Sequence, residues 1–120
     1  MTQPPLMNIA VAGAGLIGRR HIELIEASLR TQLYAVVDPT PASRELAAAK
    51  GVAHFDSLEA LFAHGASKPD GAILATPNHL HVSGALACAE HGVPAIIEKP
   101  VAESLAAGRQ LVDALTGKPV

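Results

Sequence analysis

Short apolar runs alternate along the chain with longer segments in which apolar residues recur at helical spacing. Five of these runs have the length of a strand. Their nearly continuous apolar character is typical of strands buried on both faces of a parallel sheet. The predicted strands are 8–12, 33–37, 53–55, 72–75 and 95–98.

Each run is followed by a segment with the pattern of an amphipathic helix. The first helix is predicted over 16–29, with its inner face at Ile17, Ile22, Ile25 and Leu29. The fourth is predicted over about 79–91. The helix-start residues predicted for the second, third and fifth helices are Thr40, Asp56 and Ser104, and the predicted stop glycines are Gly51, Gly65 and Gly92.

The remaining helical segments also have predicted inner faces. For the second, fourth and fifth helices these are Leu46 and Ala49, then Val82, Ala85, Leu86 and Ala89, and finally Leu105, Val112 and Leu115. Five strands alternating with five helices indicate a doubly wound α/β fold, because right-handed crossovers place helices on both faces of the sheet. We expect the strand order 3-2-1-4-5.

The composition narrows the function classes. The 120 residues are 49% apolar and carry a formal net charge of −2, which disfavours binding to nucleic acid or to an anionic membrane surface. The longest uncharged stretch, 71–89, contains Pro77, Asn78 and two histidines, so we do not expect it to span a bilayer. A single cysteine, Cys88, and no visible signal peptide lead us to expect a cytoplasmic protein.

A glycine pattern follows the first predicted strand directly. Gly13, Gly15 and Gly18 form G-x-G-x-x-G between that strand and the first helix. The first glycine permits a tight turn, the second lets the backbone approach a pyrophosphate, and the third lets the helix pack on the sheet. The alternative is that these glycines only make a turn. The position of the motif favours a Rossmann-type dinucleotide site.

Asp38 stands at the end of the second predicted strand, twenty residues after Gly18. A carboxylate there can accept hydrogen bonds from both hydroxyls of the adenosine ribose, and it repels a 2′-phosphate. Asp38 could instead serve only as a helix cap. Arg44 lies a turn or more into the next helix, so no arginine follows Asp38 directly. We therefore expect NAD rather than NADP.

Two further clusters follow the fourth and fifth predicted strands. The first contains Thr76, Pro77 and Asn78, which are also ordinary turn residues, and the second contains Glu98 and Lys99. A lysine at a strand's carboxyl end can stabilise charge on a substrate oxygen, although a solvated charge pair is the simpler alternative. The nearby histidines point in different directions and have no further ligand at metal-binding spacing, so no metal site is expected.

Together these residues resemble the amino-terminal domain of the Gfo/Idh/MocA oxidoreductases. The resemblance covers nearly the whole chain. It is carried by the sequences VAGAGLIGRRH (11–21), VDP (37–39), TPNHLH (76–81) and EKP (98–100). It implies a hydride transfer between a nicotinamide cofactor and a hydroxyl-bearing carbon, commonly of a sugar, a cyclitol or a related compound.

The resemblance also implies roles for individual residues. Lys99 would be the catalytic residue, and His21, at another recurrent family position, is interpreted as helix packing near the cofactor. The residues implied to contact the pyrophosphate are Gly13, Gly15, Leu16, Ile17 and Gly18. Asp38 is implied to contact the adenosine ribose. The residues implied to contact the nicotinamide half are Thr76, Pro77, Asn78, His81 and Glu98.

Family members continue into a second domain that shapes the substrate pocket. We therefore expect residues 1–120 to be a dinucleotide-binding domain cut short before a sixth strand, with the fifth strand left as an exposed edge. An alternative is a self-standing NAD sensor or interaction module that forms a homo-oligomer through this edge. A domain that binds coenzyme A or another nucleotide would explain the glycines but not Glu98 and Lys99.

Overall fold

The computed structural model describes residues 5–65 and 67–117. Within these ranges five strands alternate with five α-helices. The strands are β1 (Met7–Ala12), β2 (Thr31–Val37), β3 (Ala53–Phe55), β4 (Gly71–Leu74) and β5 (Ala95–Ile97). The helices are α1 (Leu16–Ala27), α2 (Pro41–Lys50), α3 (Leu58–Ala63), α4 (His81–Glu90) and α5 (Leu105–Leu115). A short 3-10 turn, Asn78–Leu80, precedes α4.

All strand pairs are parallel, and the order is β3-β2-β1-β4-β5. The predicted doubly wound α/β sheet with order 3-2-1-4-5 is therefore confirmed. Ala12 pairs with both Val37 and Leu74, and Leu74 pairs with Ile97. Because the last residues of β1, β2, β4 and β5 lie in register, the loops that follow these strands meet at one edge of the sheet.

The sheet separates two apolar clusters, as expected for strands buried on both faces. Ala10, Ala12 and Leu74 belong to the cluster beneath α3, α4 and α5. Val11 and Ile22 belong to the cluster beneath α1 and α2. Alternate residues of β1 thus face opposite helical layers. Cys88 lies fully buried in the first cluster, where burial raises the pKa of its thiol to about 11.

The second helix has the ends that its sequence predicts. The Thr40 hydroxyl accepts a hydrogen bond from Ser43 N, Pro41 occupies the first turn, and Gly51 ends the helix with φ +67°. Ser104 caps α5, as predicted, and its hydroxyl accepts a hydrogen bond from Ala107 N. These local signals therefore define both ends of α2 and the start of α5.

The third helix begins one residue later than predicted. Ser57, and not Asp56, is its N-cap, and the Ser57 hydroxyl accepts a hydrogen bond from Ala60 N. The first helix is also shorter than predicted, because α1 ends at Ala27 and the chain turns into β2. Leu29 therefore lies outside the helix and is 91% exposed.

Besides Leu29, four predicted inner-face residues point to solvent, and one of them is Ile17 in the first turn of α1, which is 52% exposed. Leu105 and Val112 are exposed, and the buried residue of α5 is Leu111. In α2 the buried alanine is Ala47, and Ala49 is exposed. The prediction failed because each helix touches its neighbours along a narrow stripe, and adjacent apolar residues on the helix compete to lie in it.

In the part of the chain that the structure describes, no helix combines the length and apolar character needed to span a membrane.

Candidate functional site

A cavity of about 360 Å³ opens at the carboxyl edge of the sheet. Its walls come from the loops after β1, β2, β3 and β4 and from the start of α4. Open α/β sheets bind ligands at this edge. The lining residues are Ala12, Gly13, Val37, Asp38, Pro39, Thr40, Asp56, Ser57, Leu58, Glu59, Thr76, Pro77, Leu80, Ser83 and Gly84.

The glycine turn connects β1 to α1 beside this cavity. Gly13 has φ +91°, and a Cβ atom there would lie 2.4 Å from the Ala75 carbonyl oxygen. A Cβ atom at Gly18 would lie 1.7 Å from the Gly13 carbonyl oxygen. At Gly15 a Cβ atom would meet nothing within 4 Å. Gly13 and Gly18 are therefore required by the turn itself, whereas Gly15 keeps open space against the backbone, as a pyrophosphate would need.

The first turn of α1 faces outward beside these glycines. Gly15 is the N-cap and supplies no side-chain cap, so the first amides of the helix lack that partner. Leu16 is 86% exposed and Ile17 is 52% exposed. Exposed apolar side chains beside free amides form a surface on which a dinucleotide can lie.

The Asp38 carboxylate is held at the end of β2 by two backbone amides. Its Oδ2 accepts a hydrogen bond from Ala14 N, and its Oδ1 accepts one from Thr40 N, both at 2.8 Å. Partial burial raises the pKa of Asp38, but the hydrogen bonds from Ala14 and Thr40 lower it by more, so the net pKa lies below the ordinary value of 3.8. Asp38 is therefore ionised at neutral pH, next to the glycine turn.

Two residues that the sequence did not single out support the Asp38 loop from behind. Ser43, which is fully buried, places its Oγ 2.8 Å from the Asp38 carbonyl oxygen and 2.7 Å from that of Thr40. His54 Nε2 lies 2.7 Å from the same Asp38 carbonyl oxygen. A serine in an alanine-rich helix was the available sequence signal, but the sequence does not show which residues on other elements it contacts.

The acidic character of the cavity bears on the choice of cofactor. Asp38, Asp56 and Glu59 all line it, and no lysine or arginine is among its lining residues. Arg44 is held by Asp56, with its Nη2 atom 3.4 Å from Oδ1. The 2′-phosphate of NADP would therefore be repelled by these carboxylates, whereas the ribose hydroxyls of NAD can donate hydrogen bonds to them.

The cluster after β4 divides into exposed and buried parts. Pro77 and Asn78 are exposed and Pro77 lines the cavity, whereas the Thr76 hydroxyl oxygen is buried without a hydrogen-bond partner among the described residues. An unpaired buried hydroxyl is unfavourable unless a ligand or water satisfies it. Thr76 therefore fits a polar ligand at this edge.

His81 does not line the site as predicted. Its side chain is 1% exposed, its Nε2 lies 2.9 Å from the Thr76 carbonyl oxygen, and its Nδ1 lies 2.6 Å from that of Pro100. Since both ring nitrogens face backbone carbonyls, the imidazole offers no polar atom to a ligand. The family resemblance implied that His81 contacts the cofactor, whereas the start of α4 turns its ring inward.

Glu98 and Lys99 follow β5 and differ in their surroundings. Glu98 Oε1 lies 2.5 Å from Nε2 of His21, which projects from α1. Lys99 is exposed and makes no ion pair or hydrogen bond within 5–65 and 67–117. The peptide bond between Lys99 and Pro100 is cis. His21, interpreted from the sequence as helix packing, is therefore a direct partner of Glu98.

Among the residues with described positions, no three His, Cys, Asp or Glu side chains are grouped to hold a metal ion.

Comparison with protein families identifies relatives over nearly the whole chain. The model of the Gfo/Idh/MocA family, described as an oxidoreductase family with an NAD-binding Rossmann fold, matches residues 7–120. The rhizopine catabolism protein MocA of Rhizobium meliloti is 30% identical over 105 residues, which are 88% of this chain and 32% of that protein. An inositol 2-dehydrogenase of Rhodococcus jostii is 31% identical, over 88% of this chain and 29% of that protein. The chain thus spans about a third of the length of these relatives.

Solved structures agree with this relationship. The WlbA dehydrogenase from Bordetella pertussis, in complex with NADH and UDP-GlcNAcA, is 30% identical with a TM-score of 0.83, over 92% of this chain and 34% of that one. The apo scyllo-inositol dehydrogenase from Lactobacillus casei is 22% identical with a TM-score of 0.86, over 97% of this chain and 34% of that one, and supports the fold alone. From the family match and the fold together, we conclude that the chain belongs to the Gfo/Idh/MocA oxidoreductases and forms an NAD-binding Rossmann fold of that family.

Proposed function

We propose that this chain supplies the cofactor half of an enzyme that transfers hydride between NAD and a hydroxyl-bearing carbon of a sugar, cyclitol or related substrate. The observation that carries the proposal is the register of the strand ends. It brings the glycine turn, Asp38, Thr76 and the Glu98-Lys99 pair to one edge of the sheet.

Each group at this edge has a role in the proposal. Gly15 leaves the space for the pyrophosphate, and Leu16 and Ile17 contact the pyrophosphate. Gly13 and Gly18 form the turn beneath it. Asp38 accepts hydrogen bonds from the adenosine ribose. Thr76, Pro77, Asn78 and Glu98 lie along the nicotinamide half.

Lys99 is proposed as the catalytic residue. Bound NAD would accept or return the hydride. The Lys99 ammonium group, which is exposed and unpaired among the described residues, would hydrogen-bond the substrate oxygen and stabilise the charge that develops on it. The position of Glu98 against His21 supports this role, because it leaves the Lys99 ammonium without a carboxylate partner from its own motif.

The substrate class is supported by the relatives. Inositol dehydrogenases are among them, and the WlbA structure contains a nucleotide sugar.

We propose that residues 1–120 act as the dinucleotide-binding domain and that the substrate pocket is completed by a second domain. We also place the enzyme in the cytoplasm, a proposal that the single buried thiol supports.

Calorimetric titration of the chain with NAD, NADH and NADP tests the proposal. We expect both forms of NAD to bind and NADP to bind more weakly, because the cavity wall carries carboxylates and no basic side chain. Absence of heat with all three cofactors at millimolar concentration would contradict the proposed function.

A second candidate is an interaction module that pairs through β5. The observation that favours it is the sheet edge: β5 pairs only with β4 among the described strands, and Ile96 is 63% exposed. Unpaired strand edges can join a second copy.

Sedimentation of the wild type and of Ile96→Lys distinguishes the two candidates. For a pairing module we expect a dimer that Ile96→Lys converts to a monomer, since a charge on an edge strand opposes pairing. A wild-type monomer that binds NAD leaves the cofactor-domain proposal in place and contradicts the module.

A further inference from the structure

His81 is a buried polar side chain that joins the two loops on the nicotinamide side of the site. One ring nitrogen faces the Thr76 carbonyl oxygen at 2.9 Å, and the other faces the Pro100 carbonyl oxygen at 2.6 Å. These two carbonyls lie 24 residues apart in the chain, on the loops after β4 and β5. The imidazole is thus a bridge between the loop that contains Asn78 and the loop that contains Lys99.

We propose that His81 is a positioning residue, which holds the Lys99 loop against the Thr76 loop by donating a hydrogen bond from Nδ1 to the Pro100 carbonyl oxygen. The proposal rests on the proposed function, in which these loops receive the nicotinamide half of NAD. His81 itself touches neither cofactor nor substrate, because its side chain is 1% exposed.

The ring nitrogens of His81 are the described polar atoms that face these two carbonyls. Carbonyl oxygens only accept hydrogen bonds, and an imidazole N–H is the donor available to them. The shorter of the two contacts, 2.6 Å from Nδ1, is the one to Pro100. Neither carbonyl accepts another hydrogen bond from a described residue outside the regular elements. The ring is therefore the partner that joins the Lys99 loop to the start of α4.

The loop after β5 has few other attachments to the domain. Glu98 N donates to the Leu74 carbonyl oxygen, and the Glu98 carboxylate contacts His21. Beyond Lys99 the next attachment is the His81 contact to Pro100. Lys99 is thus held on its amino side by β4 and α1 and on its carboxyl side by His81, so loss of the ring frees one side.

Binding of NADH and ADP-ribose to the variants His81→Leu and His81→Gln tests the proposal. ADP-ribose lacks the nicotinamide ring, so it reports the adenosine and pyrophosphate contacts alone. We expect His81→Leu to weaken NADH about fivefold to tenfold, the effect of losing one hydrogen bond, and to change ADP-ribose by less than about twofold. Glutamine, whose amide has two N–H groups, should recover part of the NADH affinity.

The matched control is His79→Leu, which removes the same side chain from an exposed position two residues earlier. It should change the ratio of NADH to ADP-ribose affinity by less than about twofold. The same unchanged ratio in a folded His81→Leu variant would overturn the positioning role.

A nitrogen NMR spectrum of the wild-type imidazole keeps the proposal testable where a variant fails to fold. A protonated Nδ1 supports it, and an unprotonated Nδ1 overturns it, since the Lys99 loop then lacks its donor. A wild-type chain that binds neither probe contradicts the proposed function, and the nitrogen spectrum then decides the positioning proposal alone.

Discussion

The Asp38 side chain has two tasks at the end of β2. Its carboxylate accepts hydrogen bonds from Ala14 N and Thr40 N, so it fixes the glycine turn to the start of α2. The same carboxylate lines the cavity, where each oxygen retains capacity to accept a further hydrogen bond. One carboxylate therefore both fixes the glycine turn and faces the cavity.

Replacing Asp38 with serine should alter cofactor preference. We expect Asp38→Ser to reduce the preference for NAD over NADP by about 1 to 2 kcal/mol, because a charge-assisted pair of hydrogen bonds to the ribose is lost and a repulsive charge is removed. Calorimetry with both cofactors measures the change. Asp113→Ser, at an exposed position on α5, is the control for loss of one negative charge. An equal loss of affinity for NAD and NADP would contradict the role of Asp38.

The lowered pKa of Asp38 also predicts how stability depends on pH. A carboxyl whose pKa is lower in the folded state stabilises the fold at pH values above its ordinary pKa of 3.8. This contribution is lost as the pH falls through the pKa of the folded state. We expect the wild type to have a higher free energy of unfolding than Asp38→Asn at neutral pH. This difference should become smaller at pH values below the ordinary pKa of 3.8. Denaturant titrations across this range measure it. A difference that stays constant with pH would contradict the hydrogen-bonding account.

At the scale of elements, the turn between β1 and α1 combines two kinds of glycine. Gly13 and Gly18 are in contact with each other through the Gly13 carbonyl, so the turn has no room for a side chain at either position. Gly15 has φ −77°, which other residues adopt readily, and open space around it. Steric demands of the fold and of the ligand are therefore separated within six residues of the sequence.

Alanine substitutions distinguish these glycines. Gly18→Ala should lower the free energy of unfolding by about 3 kcal/mol or more, because its Cβ would collide with the Gly13 carbonyl. Gly15→Ala should stay within about 1 kcal/mol of the wild type but weaken NAD about tenfold or more, since the methyl group occupies the approach of the pyrophosphate. Urea unfolding and NAD titration measure the two effects. A Gly15→Ala variant with wild-type affinity would show that the pyrophosphate lies elsewhere.

At the scale of the whole molecule, the sheet is covered unevenly toward the β5 edge. Leu74 on β4 is fully buried beneath the helices, whereas its neighbour in the sheet order contributes Ile96, which is 63% exposed. The described part of the domain therefore has a dense centre and an open side. The loop that contains the proposed catalytic lysine follows β5.

Truncation of these two residues should reveal the difference. Leu74→Ala is expected to reduce the free energy of unfolding by about 2 to 5 kcal/mol, because a fully buried side chain leaves a cavity. Ile96→Ala should reduce it by less than about 1 kcal/mol. Denaturant unfolding of both variants provides the comparison. Equal losses would indicate that Ile96 is covered in solution, for example by a second copy.

Much of the candidate site could be proposed from the sequence because it depends on local chemistry. The glycine spacing, Asp38 and the Glu98-Lys99 pair could be recognised since strand ends in a parallel sheet face one edge. The partners of these residues were not predictable in the same way. His21 meets Glu98 across 77 residues of sequence, and no local pattern encodes that distance.

The sequence alone determined the alternation of strands and helices, the glycine turn and the identity of the chemical groups at the strand ends, because each depends on the period of apolar residues or on one residue's backbone freedom. Only the tertiary structure decided which helix faces are buried and what holds the site residues. It turned His81 away from the cavity and placed Ser43 and His54 behind Asp38. These contacts join separate elements, so they arise from packing of the whole sheet and its helices.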